Sequence, residues 1–306
     1  MNKAPVRSAL AALLLLVFSI SFNTFAEITQ HVVIITSSDS KYQLQIASGI
    51  LERLEAKGAR TIIIPNDDIS ATNRNEKTLY VAIGKNAINS LYEFDSSAFV
   101  LRITSREIPG AKYTSAQSDL VTSQPDCRHI ELIKSLNPSW SSIGVLSSVG
   151  SLDIAAALTR CAIRYNINLQ VYAITDESDL LITLEAAIEN NKALLAITDP
   201  MIYNSHTVKN ILLTAYRHRK PVIGYSDSFV QAGAVAAIFT PPDSIAEKAA
   251  NIVSDFFDNN WQFNKNIYAS SAFSISTNPQ VATSLEISLP GKEYLRKSIE
   301  KMSRAP

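Results

Sequence analysis

Residues able to do chemistry sit where short apolar runs end. The run Ala193, Leu194, Leu195, Ala196, Ile197 stops at Thr198-Asp199-Pro200, and Val222, Ile223, Gly224 stops at Tyr225-Ser226-Asp227. Earlier runs end in Ser37-Ser38-Asp39, in Gly84-Lys85-Asn86 and in Ser147-Ser148. Together these groups suit binding: serine hydroxyls and amides at helix starts suit a carboxylate, aspartate suits an ammonium group, and tyrosine stacks on apolar or aromatic surface. Each has a plainer reading. Ser38 and Asp39 suit a helix cap, Asp199 before Pro200 a turn, and Tyr225 and Asp227 packing within the fold. Gly84-Lys85-Asn86 is not a phosphate loop, because Leu79 and Asn86 stand where that motif needs Gly and Ser or Thr.

Other chemistries find little support. There is no Gly-x-Ser-x-Gly elbow, no two-histidine metal helix and no Gly-x-Gly-x-x-Gly fingerprint, which argues against an enzyme. The four histidines, His31, His129, His206 and His218, lack ligand spacing, so no metal is expected and no cofactor is implied. Cys127 and Cys161 are the only cysteines. A bridge requires Cα atoms within about 7 Å, so a disulfide and two buried thiols both remain open.

The elements that must position these groups alternate in type. Stretch 191–240 reads as strand, helix and strand: Val208, Ile211, Leu212 and Ala215 recur at helical spacing, and the cations at 217–220 suit a helix C-terminus. The two strands should therefore be parallel and covered by helices, with ligands outside their carboxyl ends. Earlier strands are expected at 31–38, 59–65, 79–84 and 98–104, with helices at 42–57 and 85–92 and a loop at 66–77. The pattern lapses at 109–125 into Gly, Ser, Thr and Gln, the best place for a crossing between domains. Beyond it come helix 127–136, strand 141–148, helix 152–166, strand 167–174 and helix 179–190. An amphipathic helix at 245–257, a strand-like run at 266–276 and a closing segment at 278–302 follow.

At 306 residues the chain suits two domains, each able to bury its own core. An apolar content of 46% against 18% charged is globular, and a formal charge of zero gives no reason to expect nucleic acid as partner. Residues 1–26 have a basic start at Lys3 and Arg7, an apolar stretch at 9–22 and small residues before Glu27. They read as a secretory signal cleaved between Ala26 and Glu27; the other reading, a retained anchor, has an apolar run shorter than the roughly 20 residues a span needs. No Cys follows the apolar run, so a lipid anchor there is not expected. Without Lys3 and Arg7 the 28 basic residues fall to 26 against 28 acidic ones, a mildly acidic chain.

Three segments carry a resemblance. PDCRHIELIKSLNPSWSSIGVL (125–146), YSDSFVQAGAVAAIFTPPDSIAEKAANIV (225–253) and TNPQVATSLEISLP (277–290) occur in the order found in one family. The chain resembles the periplasmic substrate-binding proteins of ABC importers, in the group with tryptophan- and tyrosine-binding members. Glu286 stands where the family usually has Gly, and RITSREIPG (102–110) replaces its strand with an Asp-Pro-Val cleft loop.

The resemblance implies a type I periplasmic binding protein fold: an α/β chain of two Rossmann-like lobes with parallel sheets, hinge-linked, with ligand in the cleft between them. Lobe one would span 27–118 plus about 240–265, and lobe two about 119–239 plus about 266–306. Crossings are expected near 115–125, 234–240 and 266–276. Ser37, Ser38, Asp39, Gly84, Lys85 and Asn86 would then face Ser147, Ser148, Asp199, Tyr225 and Asp227 across the cleft, a set that fits an amino acid or similar zwitterion. The implied protein is a periplasmic monomer that delivers its ligand to a membrane permease, or alternatively reports it to a membrane sensor. In a third reading the shortened first lobe has lost ligand binding and the chain serves as a structural or signalling partner.

Overall fold

The computed structural model describes residues 30–38, 40–72, 77–108 and 110–304. The expected export signal at 1–26 lies outside the described residues, as does Asp39. The chain opens with β1 (His31–Thr36), α1 (Lys41–Glu55), β2 (Arg60–Pro65), β3 (Thr78–Ile83), α2 (Lys85–Phe94), β4 (Phe99–Thr104) and β5 (Gln117–Val121). It continues with α3 (Asp126–Leu136), β6 (Ser142–Ser147), α4 (Leu152–Arg164), β7 (Asn168–Ala173), α5 (Leu180–Asn190), β8 (Ala193–Leu195), α6 (Val208–Arg217), β9 (Val222–Gly224), α7 (Asp227–Ala232) and β10 (Ala236–Phe239). It ends with α8 (Pro242–Asp258), β11 (Ile267–Ala269), β12 (Ser274–Thr277), α9 (Pro279–Ser284) and α10 (Lys292–Ser303). Among the described residues no helix is long and apolar enough to cross a membrane.

Two six-stranded sheets result, ordered β2-β1-β3-β4-β5-β11 and β7-β6-β8-β9-β10-β12. The first is parallel throughout, and the second is parallel except for β12, which runs against β10. Both follow one doubly wound order, so each lobe repeats the same strand-helix logic. Period-two alternation sends Val32 and Ile34 of β1 toward α1 and α8, and Val33 and Ile35 toward α2. Coverage of both faces is why these strands read as unbroken apolar runs. The buried stripe of α1 is Ile46, Ala47, Ile50 and Leu54, while Leu44 is exposed.

The chain crosses between lobes three times, and the details differ from the sequence reading. β5 belongs to the first sheet, so the first crossing is confined to 122–125. The second is 240–241, where Pro242 starts α8. The strand-like run at 266–276 divides: β11 pairs with β5 in the first sheet and β12 with β10 in the second, leaving 270–273 as the third crossing. One straight strand cannot serve two separate sheets, so the backbone breaks where it passes between them. The expected loop at 66–77 contains a 3-10 turn, Asn66–Ala71.

Between β4 and β5 the described residues form no helix, and a buried polar cluster takes its place. Arg102 and Asp119, 2% and 0% exposed, face each other in register with Nε 2.5 Å from Oδ1. Tyr113 donates to the other carboxylate oxygen at 2.7 Å, and Arg102 also donates to Tyr92. A buried charge is tolerable only when paired and hydrogen-bonded, so these contacts tie the helix-free loop onto the sheet. Glu286 takes a left-handed backbone (φ 61°) after α9, with Glu286 N donating to Thr283 O and Ile287 N to Ala282 O. A left-handed residue at this place after a helix is one that Gly occupies without a Cβ penalty.

Candidate functional site

A cavity of about 470 Å³ lies between the lobes at the carboxyl ends of their strands. Lobe one contributes the first turns of α1, with Lys41, Tyr42 and Gln45, together with Ser105 and Pro242. Lobe two contributes Thr198 after β8, the β9–α7 turn with Tyr225, Ser226 and Asp227, and Phe239 of β10. The crossings themselves line it through Thr122, Ser123, Gln124 and Thr240. Tyr42 closes one side by donating its hydroxyl to Thr240 O at 3.2 Å.

Local sequence explains this placement. Ser40 caps α1 by accepting from Gln43 N at 3.3 Å, in place of the Ser38 or Asp39 cap expected, and the helix therefore starts with Lys41 and Tyr42 at the cleft. Gly224 lets α7 follow β9 almost at once, because a Cβ there would sit 2.5 Å from the Cβ of Phe229. Tyr225 packs on Phe229 at 4.7 Å between centroids, the rings tilted by 48°, while lining the cavity, so packing and exposure to a ligand coexist. Burial, with the Asp199 charge second, pushes its phenol up to about 12. Asp227 accepts from Gln231 Nε2 at 2.6 Å and stays partly exposed. Burial, reinforced by the Arg128 and Arg106 charges, lowers His129 to about 4, so this lining imidazole is neutral at physiological pH.

Of the residues singled out from sequence, the cavity lining brings together Tyr225 and Asp227. Asp199, Ser147 and Ser148 form a buried knot that joins the loop after β6 to the loop after β8. Asp199, 2% exposed, accepts from Ser148 N at 2.8 Å, Ser151 Oγ at 2.6 Å and Met201 N at 3.1 Å. Ser147 Oγ lies 2.9 Å from Ser151 Oγ. Burial pushes the Asp199 carboxyl up, but the Ser151 and Ser148 hydrogen bonds outweigh it and hold it below the ordinary value. On the lobe-one side, Ser37 N donates to Gln43 Oε1 at 3.3 Å, and Ser38 lies in the same turn. Gly84 has φ 86° and packs on the Gln43 amide, while Lys85 and Asn86 are exposed on the first turn of α2. Cys127 and Cys161 are joined as a disulfide between α3 and α4, with Cα atoms 5.1 Å apart.

Sequence reasoning missed Lys41, Tyr42, Gln124, His129 and Thr240. The crossing segments were the available signal: Gln124 and Thr240 lie in stretches expected to pass between lobes, where cleft residues must occur. Among the described residues no group of three or more His, Cys, Asp or Glu side chains is placed to hold a metal ion.

The architecture has relatives among solved structures. A conserved domain protein from Vibrio cholerae is 17% identical with a TM-score of 0.69, over 88% of this chain and 98% of that one. An ABC domain in complex with L-Trp from Streptococcus pneumonia is 15% identical with a TM-score of 0.67, over 87% and 98%. A ligand-free, open substrate binding protein with adhesive properties from Clostridium difficile is 16% identical with a TM-score of 0.72, over 87% and 98%. At these identities the likeness concerns fold alone. Among curated proteins none matches. Residues 103–299 match the family described as ABC transporter substrate binding protein, which covers more than half of the chain: the chain belongs to that family of solute-binding proteins.

Proposed function

We propose that this chain is an exported, periplasmic monomer that captures an amino-acid-like zwitterion between its lobes and presents it to an ABC permease. The observation that carries the reading is the composition of the cavity: Lys41 from one lobe, Asp227 from the other, and the rings of Tyr42, Tyr225 and Phe239 around them. An ammonium cation suits the Asp227 carboxylate, a carboxylate suits Lys41, and an apolar or aromatic side chain suits the rings. The cavity volume lies within the range of small-ligand sites. L-Trp in the Streptococcus pneumonia structure has this chemistry, which supports the reading.

The test is calorimetry and thermal shift on the chain from Glu27 onward against L-amino acids, nucleosides, sugars and small organic acids. One amino acid with an apolar or aromatic side chain should bind, adding about 2.7 kcal/mol of stability at 100 times its Kd. Asp227→Asn should weaken that binding about tenfold or more, the scale of a lost charge-assisted hydrogen bond. A panel in which nothing binds, or an Asp227→Asn protein of unchanged affinity, would overturn the proposal. Sugar or nucleoside binding would overturn the zwitterion part alone.

A further inference from the structure

The three crossings are joined by one side chain. Gln124 lies in the first crossing and is only 4% exposed. Its Nε2 donates to Thr240 Oγ1 of the second crossing at 2.5 Å and to Ala272 O of the third at 2.9 Å. Its Oε1 accepts from Arg128 at 2.5 Å. That guanidinium reaches back to Ser271 O at 3.4 Å and lies 4.8 Å from the centroid of the Phe273 ring, both also in the third crossing. Gln124 and Thr240 line the cavity as well, so the knot is both hinge and wall.

Lobe rotation requires backbone torsion in all three crossings, and hinges absorb that change in a few residues. Three strands joined through one amide cannot twist independently while its bonds persist. We infer that Gln124 is the positioning residue of the hinge, holding the three crossings in register so that contact at the cavity wall is passed to the lobe angle. The inference deepens the reading of the cleft as a ligand site, but the knot acts on the ligand-free protein and can be tested without a ligand. An amide is suited to the role because it donates twice and accepts, which no hydroxyl or carboxylate does in this geometry.

The test compares the ligand-free wild type with Gln124→Leu, which keeps approximate volume and removes every polar contact, and Thr240→Val, which removes one acceptor. Hydrogen exchange is read in peptides over 122–125 and 270–273 and in the core strands β1 and β6, and small-angle scattering reads the separation of the lobes. Gln124→Leu should accelerate exchange in both crossings by about tenfold, the scale of one or two hydrogen bonds, leave β1 and β6 protected, and broaden the distance distribution. Thr240→Val should act in the same direction more weakly, and it decides the matter alone if Gln124→Leu does not fold. Unchanged scattering with unchanged crossing exchange would overturn the inference. So would acceleration spread equally over β1 and β6, which marks a structural residue with no hinge role.

Discussion

Asp199 accepts three hydrogen bonds within 3.1 Å in a site almost closed to water. Its carboxylate neutralises loop donors that would otherwise be buried unpaired, and removal leaves those donors exposed to that penalty. Asp199→Ala is therefore expected to lower stability at neutral pH by about 3 kcal/mol, measured by urea unfolding. The pH dependence follows from its depressed pKa. The folded state holds this group ionised below the ordinary 3.8, so the contribution is complete above about pH 4 and is lost as pH falls through the lower folded value. An Asp199→Asn protein should lack that acid-side loss, and identical acid unfolding curves would count against the assignment. A second buried carboxylate, Asp119 in lobe one, is paired with the Arg102 guanidinium.

At the scale of elements, the β9–α7 turn determines the lobe-two wall. Six residues of α7 carry Asp227 into the cavity, and left-handed Gly233 (φ 125°) ends the helix. The turn is tight because Gly224 has no side chain: its neighbour is the Cβ of Phe229, which cannot swing away as the end of a long side chain can. Gly224→Ala should cost about 1–3 kcal/mol through overpacking, and it should weaken ligand binding by displacing Tyr225 and Asp227 together. Urea unfolding with calorimetry separates the two effects, and a Gly224→Ala protein with wild-type stability would show that Phe229 moves freely. The same scale explains the polar plug between β4 and β5. Where the described loop supplies no helix to cover the sheet, Tyr113 and Tyr92 close over the Arg102–Asp119 pair.

For the whole molecule, an ion cluster spans the lobes. Arg106, after β4 in lobe one, reaches Asp126 at 3.1 Å and Asp153 at 3.3 Å, both in lobe two. The pairs are partly exposed, so each contributes about 0–1 kcal/mol and is screened by salt. That is small against the fold but comparable to the energies that separate lobe orientations. Scattering of the ligand-free protein should therefore show wider lobe separation as salt rises from about 0.05 M to about 1 M, where the Debye length shrinks to about 3 Å, the contact scale of the cluster. Arg106→Gln should show the wide state at low salt and little further response. A salt response equal to that of the wild type would remove the cluster from control of the lobe angle.

The sequence by itself determined the class and rhythm of this fold. Apolar runs buried on both faces, helices with one apolar stripe and stops at Gly or Pro are local signals, and they made the alternating strands and helices legible, while the family was legible only through the resemblance of segments 125–146, 225–253 and 277–290. Tyr225 and Asp227 were legible for the same reason, since they follow a strand at its carboxyl end. Tertiary structure alone decided the rest. Asp199 carries the same local signature as Asp227, yet one is enclosed by the donors of Ser148, Ser151 and Met201 while the other faces the cavity. Run 266–276 looks like one strand, but its halves complete different sheets. Gln124 acquires its role only where three distant crossings meet. Such roles depend on which segments pack beside a residue, and contacts between positions far apart in the chain leave no local pattern.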